Sequence, residues 1–132
     1  MGDPTQPGSD VTDPSKTYRE LTQGVSSRLA GLRASTPEVM KSFSDLGRAA
    51  TADGMLDRKT KELIALAVSV AARCDPCIGF HMQTLVKLGV TRQEVDETLA
   101  VTTYMGGGPS LMYAASAIAA FEEFSAPAAP GT

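Results

Sequence analysis

The chain is poor in the residues that most binding and catalytic sites use. Its 132 residues include no tryptophan, only 5% aromatic residues, one histidine and two cysteines. The lysines and arginines are scattered singly and the net charge is −3, so no basic surface is expected to neutralise phosphates. With few rings for base stacking as well, the composition argues against nucleic-acid binding.

Long hydrophobic runs are also absent. The longest nearly apolar run, Leu63 to Ala72, is too short to span a bilayer. Residues 1–16 contain no apolar stretch of the kind that directs secretion. We therefore expect a cytoplasmic protein with no membrane partner, and in that compartment a close cysteine pair is more often catalytic or metal-binding than structural.

The chain divides by composition into one domain and two tails. Residues 1–16 are rich in turn formers, and residues 125–132 contain Ala-Pro repeats, so both are predicted to be disordered. Residues 17–124 form a single predicted domain, for which the apolar fraction of 42% is sufficient to build a core.

Helical periodicity runs through this domain, and no segment is a convincing strand. We predict an all-α fold, a compact bundle of about six helices. The starts depend on caps: Thr36-Pro37-Glu38 opens the second helix, Asp57 the third, Asp75-Pro76 the fourth and Thr91 the fifth. The second helix is predicted to run to about Ala50, the third from Arg58 to about Arg73, and the fourth to end at Gly89. The glycines at 106–108 and Pro109 separate the fifth helix from the sixth.

The apolar residues predict which helix faces are buried. The second helix should bury Val39, Met40, Phe43 and Leu46, and the third, apolar nearly all round, should lie at the centre. In the fifth helix Val95, Leu99 and Thr102 or Thr103 should face inward. The sixth helix is rich in alanine, methionine and small residues. Because this apolar surface exceeds what one small chain covers, we expect a homo-oligomer.

The rarest reactive side chains are grouped within eight positions. Cys74-Asp75-Pro76-Cys77 is followed by His81, and these are the only cysteines and the only histidine. With Asp75 as the cap, Cys77 falls in the first turn of its helix, where unpaired amides and the helix dipole favour a thiolate. Cys74 is within reach for a disulfide, and His81, one turn on, can accept the thiol proton.

A carboxylate completes this candidate site. Glu62 stands at the polar-to-apolar junction of the third helix, where it could orient His81 and raise its basicity. The helical rise leaves an axial offset of about 9 Å between the two, which a shorter third helix, a steep crossing or a bridging water would close. The same four residues could instead hold zinc, although structural zinc sites take their ligands as two pairs and no second pair exists here.

The pattern Glu62, Cys74-x-x-Cys77-x-x-x-His81, Leu85, Leu88-Gly89 and Val90-Thr91 resembles the alkylhydroperoxidase D-like branch of the carboxymuconolactone decarboxylase family. The stretch from Gly107 to Ala114 is similar to the last helix of that family. The resemblance covers residues 39–124 and implies an all-helical fold that assembles as trimers or hexamers.

The resemblance also implies the chemistry. Cys77 would be the peroxidatic cysteine, Cys74 the resolving one, and Glu62 with His81 the proton relay. The expected function is thiol-dependent peroxide reduction with a dithiol or lipoyl-type reductant protein as partner, and no cofactor or metal. Peroxidases of this branch carry a histidine immediately before the second cysteine, where this chain has Pro76.

That departure keeps other functions open. A disulfide reductase or redox sensor with little peroxidase activity uses the same cysteine pair without the missing histidine. The remaining alternatives are a carboxymuconolactone decarboxylase-like activity and a non-enzymatic metal-binding helical module. Stoichiometric zinc that protects both thiols would favour the metal site over the redox site.

Overall fold

The computed structural model describes residues 17–127, which form six α-helices and no strand. The all-α prediction is confirmed for this part of the chain. The predicted tails lie outside it, apart from residues 125–127, and the last helix ends at Ser125. The helices are α1 Tyr18–Ser35, α2 Pro37–Thr51, α3 Arg58–Ala71, α4 Asp75–Lys87, α5 Arg92–Gly106 and α6 Gly108–Ser125.

Side-chain caps begin most of these helices. The predicted caps Asp57 and Thr91 accept hydrogen bonds from the amides of Thr60 and Glu94, and Glu94 completes a capping box. Thr36 is different, because its hydroxyl donates to the carbonyl oxygen of Leu32 and does not cap α2. Since Thr36 also ends α1, its hydroxyl satisfies a carbonyl of α1, and the prediction of a capping hydroxyl is wrong there.

The core lies where α4 packs between α3 and α6, with α5 closing one side. The predicted inward residues of α5 are confirmed, since Val95, Leu99 and Thr102 are buried. From α6, small residues face the core and allow the helices to approach closely. The buried apolar set is Leu66, Val70, Ile78, Met82, Leu85, Val90, Val95, Leu99, Ala114, Ala117, Ala120 and Phe124.

The predicted burial of α2 is wrong for the single chain. Val39, Phe43 and Leu46 are 66%, 70% and 64% exposed, because α2 makes its main contacts only with α1 and α3. The prediction for α3 holds for one face: Leu66 is buried, whereas Val68 on the other side is exposed. Leu111 and Met112 of α6 and Val101 of α5 are exposed as well, so apolar side chains on several helices remain uncovered in one chain.

A close helix approach fixes α1 against α4. A Cβ atom at Gly79 would lie 2.7 Å from Cγ2 of Thr22 and 3.1 Å from Cδ1 of Tyr18. Glycine at this position therefore allows the first turns of α1 to lie directly on α4, the helix that carries the cysteines.

Among residues 17–127, no helix combines the length and the apolar character that crossing a membrane requires.

Candidate redox site

The site begins at the turn between α3 and α4. Arg73 has a left-handed backbone, with φ of 58°, and reverses the chain directly before Cys74. Cys74 is the N-cap of α4, and its Sγ accepts a hydrogen bond from the amide of Cys77 at 3.3 Å. The predicted cap, Asp75, is instead the first helical residue. Cys77 is therefore the third helical residue, which still lies in the first turn, where unpaired amides favour an anion.

The two cysteines are joined in a disulfide. Their sulfur atoms are 2.10 Å apart and their Cα atoms 5.2 Å apart. The prediction that Cys74 lies close enough to Cys77 to form a disulfide is therefore confirmed. Both residues are only partly buried. A disulfide that a partner can reach, at the start of a helix, can be opened by thiol exchange and formed again.

His81 and Glu62 lie in direct contact. Nδ1 of His81 is 2.7 Å from Oε2 of Glu62, across the packed faces of α3 and α4. The expected axial offset is closed without a bridging water, and α3 ends at Ala71, two residues earlier than predicted. Glu62 is 5% exposed, whereas the side chain of His81 is 35% exposed.

This contact defines what His81 can do. A carboxylate only accepts hydrogen bonds, so Nδ1 carries the proton and Nε2 is the free acceptor of the neutral ring. His81 lies one helical turn beyond Cys77, which places both on the same face of α4. This order of side chains, Glu62 on His81 and His81 one turn from Cys77, is the order that a nucleophile, a base and its orienter would require.

A neighbouring pair was not predicted from the sequence. The hydroxyl of Tyr18 in α1 donates to Oδ1 of Asp75 at 3.0 Å. Burial, and then the charge of Asp75, raise the pKa of Tyr18 above its usual range, so the phenol remains a donor. From the sequence, Asp75 is predicted only as a helix cap. The sequence carries no signal that joins residues 57 positions apart.

In the part of the chain that the structure describes, no group of three or more histidine, cysteine or acidic side chains is arranged so that it could hold a metal ion. Glu62 and His81 bind each other, and Cys74 and Cys77 are bonded to one another. The zinc alternative would require the disulfide to open before its sulfurs could act as ligands.

Residues 17–127 form an all-helical domain with a cysteine pair at the start of α4 and, on the same helix, a partly exposed histidine in contact with a buried glutamate. The sequence profile of the carboxymuconolactone decarboxylase family matches residues 37–120, which is more than half of the chain. The chain belongs to this family, as the resemblance indicated.

Solved structures of the family are similar along most of the chain. A family protein from Legionella pneumophila is 59% identical with a TM-score of 0.81, covering 83% of this chain and 97% of that one. A family member from Thermotoga maritima, for which a role in the antioxidative response has been suggested, is 30% identical with a TM-score of 0.69. That match covers 77% of this chain and 87% of the Thermotoga protein.

Curated relatives match as well. An uncharacterised protein of Cupriavidus necator is 38% identical over 102 residues, which is 77% of this chain and 90% of the relative. The alkyl hydroperoxide reductase AhpD of Coxiella burnetii is 33% identical over 52 residues, which is 39% of this chain and 29% of that protein.

Proposed function

We propose that the protein is a thiol-dependent peroxide reductase. The observation that carries the proposal is the 2.7 Å contact between Glu62 and His81, one helical turn from a cysteine that can form a disulfide with its neighbour. The short AhpD match and the antioxidative role suggested for the Thermotoga protein support the same chemistry.

The reaction starts from the reduced pair. Nε2 of His81 takes the proton of the Cys77 thiol, and the buried carboxylate of Glu62 stabilises the resulting imidazolium. The Cys77 thiolate attacks one peroxide oxygen, so the O–O bond breaks and Cys77 becomes a sulfenic acid. The departing alkoxide or hydroxide takes the proton from His81 and leaves as an alcohol or as water.

Cys74 then closes the cycle. Its sulfur attacks the sulfenic sulfur of Cys77, which forms the disulfide and releases the hydroxyl group as water. The disulfide seen here corresponds to this stage. A dithiol donor, such as a lipoyl-type protein, then reduces the pair by thiol exchange and becomes a disulfide itself. Two electrons from the donor therefore reduce one peroxide in each cycle.

Pro76 favours a second candidate, a disulfide reductase or redox sensor. Proline stands in the first turn of α4 where peroxidases of the related branch carry a histidine, so one proton-transfer group is missing. This candidate predicts rapid exchange with partner disulfides and peroxide reduction no faster than that of a free thiol.

Peroxide consumption with a dihydrolipoyl donor tests the proposal. The wild type should turn over continuously, and Cys77→Ser should lose this activity because no thiolate attacks the peroxide. Cys74→Ser should react once and stop at a sulfenic acid, which a dimedone-type reagent traps. Equal rates for the wild type and Cys77→Ser would refute the proposal, whereas fast disulfide exchange without peroxide turnover would establish the second candidate.

We also propose that the protein works as a homo-oligomer, a trimer or hexamer. The exposed apolar residues Phe43, Val68 and Met112 on three helices are the support, since such surface is normally covered in a stable protein. Light scattering should give a molar mass of three or six chains, and Phe43→Asp should lower it. A monomeric wild type would contradict this proposal.

A further inference from the structure

The Tyr18–Asp75 hydrogen bond lies directly at the redox motif. Asp75 is between the two cysteines in the chain and is the first helical residue of α4. The phenol of Tyr18 reaches it from α1, a helix that contributes nothing else to the thiol chemistry described above. Tyr18 also precedes residues 37–120, the part of the chain that matches the family profile.

Tyr18 is held in place from several sides. The carboxylate of Glu123 in α6 accepts the backbone amide of Tyr18 at 2.8 Å and that of Arg19 at 3.0 Å, which fixes the start of α1. The missing side chain at Gly79 lets the ring lie against α4. A phenol that is anchored at its backbone and packed along its ring holds its hydroxyl within hydrogen-bond distance of the Asp75 carboxylate.

The protonation of this phenol is settled by its surroundings. Burial and the charge of Asp75 raise the pKa of Tyr18, and Tyr113 of α6 acts in the same direction. A hydrogen bond with the hydroxyl of Ser116, also on α6, lowers the pKa of Tyr18, but burial and the charge of Asp75 outweigh it. Tyr18 therefore donates to Asp75 throughout the pH range in which a cysteine ionises.

The carboxylate affects the neighbouring thiolate. Asp75 and Cys77 both lie in the first turn of α4, where the same unpaired amides attract negative charge. A nearby like charge disfavours the ionised form of a group, so a free Asp75 carboxylate would oppose the Cys77 thiolate. Residues two apart on a helix point about 200° away from each other, so a carboxylate held toward α1 is kept from the Cys77 side.

We propose that Tyr18 is a positioning residue for the thiol chemistry, which holds the Asp75 carboxylate toward α1 and so favours the Cys77 thiolate. The inference rests on the proposed function only in requiring that Cys77 reacts as a thiolate. It assigns to α1 an electrostatic task in addition to packing.

The test measures the thiolate of Cys77 without any peroxide. Cys74→Ser leaves a single thiol and retains a good N-cap residue. In that background, the rate of alkylation by iodoacetamide is followed across pH for four proteins: the parent, Tyr18→Phe, Asp75→Asn and the double variant. His81 and Glu62 are unchanged in sequence in all four proteins, so differences in the midpoint report on the Tyr18–Asp75 pair.

We expect Tyr18→Phe to raise the midpoint and to lower the thiolate fraction near neutral pH by about three- to tenfold, part of the effect of a full neighbouring charge. Asp75→Asn should lower the midpoint. The double variant should match Asp75→Asn alone, because the phenol then has no carboxylate to position. Tyr104→Phe, at an exposed tyrosine, should leave the profile unchanged.

Two results would overturn the proposal. One is an unchanged midpoint in Tyr18→Phe, and the other is the same shift with and without the Asp75 carboxylate, which would reduce Tyr18 to packing. If Tyr18→Phe does not fold, as judged by circular dichroism, Asp75→Asn decides alone: a midpoint that does not fall refutes the proposal. Loss of peroxide turnover with the expected shifts intact would count only against the proposed function.

Discussion

Replacing Glu62 by glutamine tests the proton relay with little change of shape. The amide oxygen of glutamine can still accept the Nδ1 proton of His81, whereas the negative charge that stabilises the imidazolium is lost. Because Glu62 is 5% exposed and 2.7 Å from His81, water screens this interaction little. We therefore expect a clear loss of rate with little loss of structure.

The size of the loss follows from the interaction removed. A hydrogen bond to a charged group contributes about 1.5–3 kcal/mol, compared with about 0.5–1.5 kcal/mol for a neutral one. Each 1.36 kcal/mol changes a rate about tenfold, so replacing the charged interaction by a neutral one, a loss of about 1–1.5 kcal/mol, slows Cys77 oxidation by about 5- to 10-fold. Glu62→Ala, which also frees the ring of His81, should lose at least as much.

A single-turnover assay measures this directly. Reduced protein is mixed with peroxide, quenched with an alkylating reagent, and the remaining Cys77 thiol is counted by mass spectrometry. Glu122→Gln, a carboxylate at the exposed end of α6, is the matched control and should react like the wild type. An unchanged rate in Glu62→Gln would show that the Glu62–His81 contact is structural only.

Three further changes test the fold around the site. Gly79→Ala should destabilise the protein by about 1–3 kcal/mol because the new Cβ meets Thr22. Gly31→Ala, in open space on α1, should stabilise it by about 0.5–1 kcal/mol. Equal effects of the two changes in urea denaturation would contradict the close approach of α1 to α4. Arg73→Gly should raise the free energy of unfolding by about 0.5–1 kcal/mol, since glycine adopts a positive φ without the strain of a side chain, and a loss of stability would refute this. Hydrogen bonds from Thr60 lower the pKa of Asp57, so its contribution is present above the unfolded value of about 3.9 and disappears as the pH falls through the folded value. Asp57→Asn should therefore narrow the difference in melting temperature between about pH 7 and about pH 3, and an unchanged difference would exclude this role.

Most helix positions follow from local signals that act within a few residues. The capping residues Asp57 and Thr91 predict where α3 and α5 begin, and the spacing of Val95 and Leu99 predicts which face of α5 is buried. The same local view fails at Thr36, where one hydroxyl could serve either of two adjoining helices and serves the earlier one. It fails again at Cys74, since a sulfur that accepts the Cys77 amide leaves Asp75 free for another partner.

The sequence predicts which helices pack together but not the distances between their side chains. Periodicity puts Glu62 and His81 on helices that pack together, but the rise per residue gives their axial positions and not the crossing that brings them to 2.7 Å. The contact of Tyr18 with Asp75 depends on where α1 packs. The glycine at position 79 allows α1 to pack closely on α4, but a glycine in the sequence does not predict which helix will pack there.

The misplaced burial of α2 has a related cause. Hydrophobic periodicity shows that Val39 and Phe43 share a face, but not which surface covers that face. Within one chain the face stays exposed, so the amphipathic pattern of α2 is consistent with burial against another copy. The apolar spacing of α2 predicts that one face of the helix is buried, but it does not predict which surface covers that face.

The pH dependence of Cys77 oxidation by peroxide tests the central claim most directly. Reduced wild-type protein should consume one peroxide per chain and form the Cys74–Cys77 disulfide, at a rate far above that of free cysteine. The rate should rise with a midpoint below the value of about 8.5 for an ordinary thiol. A rate no faster than that of free cysteine, with a midpoint near 8.5, would contradict an activated cysteine and the peroxide reductase assignment.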